Sequence, residues 1–100
     1  MFHYYTKPLE PESLKIEATD IAGQTLCALR NIERILNDSG LTLNNVIKAN
    51  VYLTDMALFK EMNAVYEEVF KDHKPARTTV CVKGLPLDAL VEIECVAERI

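Results

Sequence analysis

Apolar residues recur at spacings of three and four from Asp20 onward, at Ala22, Leu26, Leu29, Ile32, Ile35 and Leu36, which is the period of a helix with one buried stripe. Ser39 and Gly40 follow, the small residue and left-handed stop expected just past a helix end, so the pattern predicts a helix over 18–38. Between Val46 and Leu53 the period drops to two. Ile47, Ala49, Val51 and Leu53 share one side and Lys48, Asn50 and Tyr52 the other, as in a strand with a dry and a polar face. Thr54 and Asp55 then offer an N-cap, and Phe59, Met62, Tyr66, Val69 and Phe70 trace a second stripe ending before Pro75, a helix over 56–72. Ahead of these elements, Phe2, Tyr4, Tyr5 and Thr6 favour a short strand within 1–7 that Pro8 and Pro11 interrupt.

Two more alternating runs follow. Thr78, Val80 and Val82 alternate with Arg77, Thr79, Cys81 and Lys83; Gly84 to Asp88 turns the chain; Val91, Ile93, Cys95 and Ala97 alternate with Glu92, Glu94 and Val96. The expected result is a closing β-hairpin. Strand, helix, strand, helix and hairpin predict an α+β two-layer sandwich, its mixed sheet covered on one face by both helices. Lys48, Asn50, Tyr52, Arg77, Thr79, Cys81, Glu92 and Glu94 are assigned to the uncovered face, too polar for a core and too mixed for plain exposure. Such a face is commonly hidden in a subunit contact, so a homo-oligomer with a cleft between chains is expected.

One hundred residues, 49% hydrophobic and 26% charged, allow one domain over 1–100 and exclude disordered and low-complexity classes. The formal net charge of −4, with basic residues scattered, argues against a nucleic-acid partner. Cys27, Cys81 and Cys95 are odd in number and widely spaced, without a CxxC or a zinc-type His spacing, which points to a reducing compartment and no metal site. The start MFHYYTK lacks the apolar core of a signal peptide, and no run approaches a membrane span, so a cytoplasmic protein is expected.

Few residues stand out as chemistry. Arg77 follows Pro75 and Ala76 at a strand start, where its guanidinium is either a solvated charge or a fork for a small carboxylate worth ~1.5–3 kcal/mol. Glu92 and Glu94, two apart on one strand, read either as exposed carboxylates or as a pair in which one meets Arg77 or Lys83 and the other activates a water. Asn63, on the shoulder of the second stripe, is expected to fasten backbone rather than touch substrate. Cys81 reads as inert and partly buried, and His3 and His73 are isolated and carry no assigned role.

Four ordered segments, QTLCALRNIERILNDSGLTLNNVIKANVYLTDM, NAVYEEVF, KPARTTVCVKGLP and VEIECVA, together resemble the RidA/YjgF family, whose members also carry the name L-PSP endoribonuclease. The resemblance runs from Pro8 to the end. It implies a fold similar to chorismate mutase, a homotrimer with clefts between subunits, and hydrolysis of reactive enamines and imines such as 2-aminoacrylate and 2-aminocrotonate to 2-keto acids and ammonia, with no metal and no cofactor. Carried over motif by motif, Arg77 of PARTTV holds the substrate carboxylate and Glu92, the first glutamate of VEIE, positions or activates the attacking water. Asn63 of NAVY matches a structural or site-lining asparagine, and Thr79 falls where many members place a ligand-touching cysteine. At the front, neither the GPYS-like nor the SGQ segment of the family's first two strands occurs, Pro8 to Glu17 resembles the loop after SGQ, and MFHYYTK stands in place of the second strand. Two rival readings keep the same residues: a non-catalytic trimer that binds or senses small carboxylates, and the ribonuclease or translation inhibitor of the older family name, which the net charge disfavours.

Overall fold

Asp20 is extended, and its side-chain Oδ1 accepts from the Gly23 N–H at 2.7 Å, capping the helix that follows. The computed structural model describes the backbone of residues 2–6 and all of residues 20–99. Its elements are β1 (Phe2–Thr6), α1 (Ile21–Asp38), β2 (Val46–Leu53), α2 (Phe59–Phe70), β3 (Ala76–Cys81) and β4 (Val91–Ala97). The predicted loop over Pro8 to Glu17 lies outside the described residues. Gly40, at φ 77°, closes α1 as expected, and the Leu41 N–H returns to the Leu36 carbonyl at 2.8 Å. Asp55 caps a single 3₁₀ turn, Met56–Leu58, which runs into α2, so the regular helix starts three residues later than its periodicity indicates.

The four strands lie in the order β1-β4-β2-β3, with β2 and β3 parallel and the other pairs antiparallel. Parallel neighbours need a crossover, and α2 supplies it between β2 and β3. The expected closing hairpin does not form, because β2 lies between β3 and β4. The connection instead passes over the end of β2: Val82 N–H donates to the Leu53 carbonyl at 2.7 Å and Thr54 N–H to the Leu90 carbonyl at 3.1 Å. Gln24, buried on α1 at 3% exposure, accepts the Leu90 N–H at 2.8 Å and ties that crossing to the helix layer.

Ala28, Leu29, Ile32 and Leu36 of α1 and Met62, Tyr66 and Phe70 of α2 pack on Val46, Ala49, Val51, Leu53, Val91, Ile93, Cys95 and Ala97 of the sheet. Each fully buried Leu or Ile contributes roughly 1.5–3 kcal/mol, so this layer dominates stability. Ile47, expected on the dry face, is 39% exposed, while Val46 is fully buried. The cause is a bulge: Val46 pairs with Ala97 and Lys48 with Val96, leaving Ile47 as the extra residue. Beside it, His73 Nε2 donates to the Val46 carbonyl at 2.7 Å, a structural role the sequence pattern did not reveal. Among the described residues no helix is long and apolar enough to cross a membrane.

Candidate active site

Strand register assigns each candidate residue to a face. Arg77, Thr79 and Cys81 pair with Ala49, Val51 and Leu53, the buried positions of β2, so they project to the helix side of the sheet. Glu92 and Glu94 pair with Tyr52 and Asn50 on the other side. The shared polar face of the sequence reading is therefore two sites. Lys48, Asn50, Tyr52, Glu92 and Glu94 form the uncovered face, and Arg77, Thr79 and Cys81 belong to the covered one. Arg77 and Glu92 do not meet within one chain, because the sheet separates them, and no Arg77 to Glu92 ion pair is possible there.

On the helix side, β3 carries Arg77 under α2. Its guanidinium carbon stands 4.6 Å from the Tyr66 ring centre and 5.5 Å from that of Phe59, within the range of cation–π attraction. Arg77 Nη1 donates to Asn63 Oδ1 at 2.6 Å. Asn63 thus fastens a side chain, not backbone as expected, and its own Nδ2 donates to Glu67 Oε1 at 2.7 Å. Lys74 Nζ lies 3.6 Å from Glu67 Oε2. The Asn63 bond uses one of the five N–H donors of a guanidinium. Thr79, half-buried, follows Arg77 on the same side of β3. Cys81 is exposed, not partly buried.

Beneath Arg77, Tyr66 is 5% exposed, and its hydroxyl has no hydrogen-bond partner among the described residues. Burial pushes the Tyr66 hydroxyl up to about 12; the nearby Cys95 adds to the shift and the Arg77 charge opposes it. The ring is thus a neutral platform under the cation at working pH. Tyr66, Phe59 and Glu67 were not singled out as site residues, yet the signal was present: Phe59, Asn63, Tyr66 and Glu67 recur at three and four and so share the α2 side that meets the strand after the crossover.

On the open side, Glu94 Oε1 accepts from Asn50 Nδ2 at 2.7 Å and from Tyr52 Oη at 2.9 Å, which fixes that carboxylate across the β2–β4 ladder. Glu92 neighbours Tyr52 and is half-buried. Val80, 40% exposed, lies in register with Tyr52 on this side. Among the described residues no group of three or more His, Cys, Asp or Glu side chains is placed to hold a metal ion.

The architecture is a chorismate-mutase-like α+β sandwich, and comparison with known proteins agrees. Residues 6–99 match the endoribonuclease L-PSP family. A RutC family protein of Pyrococcus horikoshii is 49% identical over 92 residues, covering 92% of this chain and 73% of the relative. The chloroplastic Reactive Intermediate Deaminase A of Arabidopsis thaliana is 40% identical over 89 residues, covering 89% of this chain and 48% of that protein. The crystal structure of E. coli TdcF with bound serine superposes with a TM-score of 0.89 at 33% identity, covering 98% of this chain and 81% of that one. The chain belongs to the RidA/YjgF family, also called endoribonuclease L-PSP, which includes reactive intermediate deaminases.

Proposed function

We propose that this protein hydrolyses small 2-imino and 2-enamino acids, such as those derived from serine and threonine, to 2-keto acids and ammonia, working as a homotrimer without metal or cofactor. The observation that carries the reading is Arg77: a guanidinium held by Asn63 over an aromatic platform at the sheet edge, a preorganised fork for a carboxylate. The serine bound to TdcF and the name of the Arabidopsis relative support a small amino-acid-derived ligand.

Because Arg77 and Glu92 lie on opposite faces, both reach one substrate only across a subunit boundary, with Arg77 from one chain and Glu92 from its neighbour. The open face bearing Tyr52, Val80 and Glu92 is suited to that contact. The bound carboxylate pairs with Arg77, and Thr79 lies alongside. The iminium carbon is already electrophilic, so the protein needs to place water and accept its proton. Glu92 takes a proton from the water as its oxygen bonds to that carbon. Glu92 returns that proton to the nitrogen of the resulting aminol, the C–N bond breaks to release ammonia, and the hydroxyl proton passes to the departing ammonia, leaving the keto acid. No enzyme nucleophile is required.

The test is keto-acid release from 2-aminoacrylate generated in place by a serine dehydratase, with semicarbazide as competing trap. Acceleration by the parent that disappears in Arg77→Ala is the expected result. Ligand affinity that depends on Arg77 while turnover stays at background selects the second reading, a carboxylate-binding trimer, which the serine-bound neighbour also favours.

A further inference from the structure

Glu67 decides which end of the Asn63 amide faces Arg77. Its carboxylate accepts from Asn63 Nδ2 at 2.7 Å, which leaves Oδ1 to accept from Arg77 Nη1 at 2.6 Å. A flipped amide would set its two N–H donors against a guanidinium that has only donors, and would turn its oxygen on a carboxylate that only accepts. We infer that Glu67 is a positioning residue that locks the Asn63 amide so that Arg77 is aimed in one geometry, and that the affinity of the site for 2-keto and 2-imino carboxylates depends on it. The inference rests on the reading of Arg77 as the carboxylate anchor.

Two features separate this role from a structural one. Glu67 is more than half exposed in its ion pair with Lys74, so it contributes little packing. It also sits in the last turn of α2, where a negative charge opposes the helix dipole, so its removal leaves the fold as stable or slightly more so. Affinity and stability are therefore expected to move in different directions.

The experiment titrates the parent, Glu67→Lys, Glu67→Gln and Arg77→Ala with 2-oxobutanoate by calorimetry, and records the Tm of each. Lysine only donates, so it favours the flipped amide; glutamine can still accept and is permissive. Expected are a roughly tenfold loss of affinity in Glu67→Lys, the scale of one charge-assisted hydrogen bond, near-parent affinity in Glu67→Gln, a Tm for both no lower than that of the parent, and loss of binding in Arg77→Ala. Parent-like binding by Glu67→Lys, with binding lost in Arg77→Ala, overturns the positioning role and leaves the anchor standing. Equal weakening in Glu67→Lys and Glu67→Gln overturns amide locking, because the glutamine retains an acceptor for Asn63 Nδ2. Parent-like binding by Arg77→Ala overturns the anchor and the inference with it.

Discussion

Arg77 and Glu92 stand on opposite faces of the same sheet, Arg77 in register with buried Ala49 and Glu92 with half-buried Tyr52. A site that needs both must be built by two chains, and this is directly testable by mixing variants. Arg77→Ala and Glu92→Gln are each expected to be inactive alone and to regain activity when refolded or expressed together. With random assembly and each site drawing one residue from each of two neighbours, about a quarter of sites carry both native residues. Recovery to about that fraction in the semicarbazide-trap assay is the expected outcome, whereas a site built within one chain recovers none.

Burial holds two acidic hydrogens against deprotonation. Tyr66 rises from 10.0 to about 12, mainly by burial, and Cys95 from 9.0 to about 12 by burial and then by Glu94. Both groups have native values above their unfolded ones, so their contribution is fully present below pH 9 and is lost as pH rises toward 12. The urea midpoint of the parent should fall steadily across that window. The double variant Tyr66→Phe, Cys95→Val should show a shallower fall. Tyr66→Phe also removes a buried hydroxyl without a described partner, so at neutral pH it is expected to match the parent or exceed it by up to about 1 kcal/mol.

Backbone conformation makes two opposite predictions. Gly40 at φ 77° closes α1, and a Cβ there would meet only Arg99 Nη1 at 3.8 Å, so Gly40→Ala suffers conformational strain and not a clash. A loss of about 1 kcal/mol is expected in denaturant unfolding. Lys71 at φ 59° and ψ −121° occupies a region that suits glycine, at the end of α2. Lys71→Gly is therefore expected to hold or raise stability, by up to about 1 kcal/mol.

The Gln24 side chain is the tie between α1 and the crossing that precedes β4. Gln24→Leu leaves the Leu90 N–H without its acceptor in a place shielded from water, and a loss of about 1–3 kcal/mol is expected. Thermal unfolding of Gln24→Leu beside Gln24→Glu checks it: the glutamate keeps an acceptor oxygen and should lose less from this contact.

Helix and strand positions were legible because each carries its own period: Leu29, Ile32 and Leu36 mark one face of α1, and Ala49, Val51 and Leu53 one face of β2. What failed was non-local. Residues 77–81 and 91–97 alternate as hairpin arms do, but alternation names no partner, and the preference of β2 for both neighbours is visible only in the assembled sheet. Ile47 was misplaced by one extra residue in the ladder. The Arg77 face was misread because β3 is an edge strand: its alternate residues are at best half-covered on either side, so its polar members gave no indication that they lay beneath α2. Arg77, Asn63 and Glu92 were candidates by residue type and position and took their roles from the resemblance, whereas the Glu67 contact emerged only from the geometry around Asn63.

The crossing over the end of β2 places the latest strand of the sequence at the centre of the sheet. Among the described residues β4 is the ladder neighbour of β1 and one of the two neighbours of β2, so β1, made well before β4, must wait for it before that pairing can form. Order of synthesis and order of assembly run counter to each other in this domain. The native sheet is complete only once residues 91–97 have been delivered, and until then β1 and β2 lack the neighbour they share.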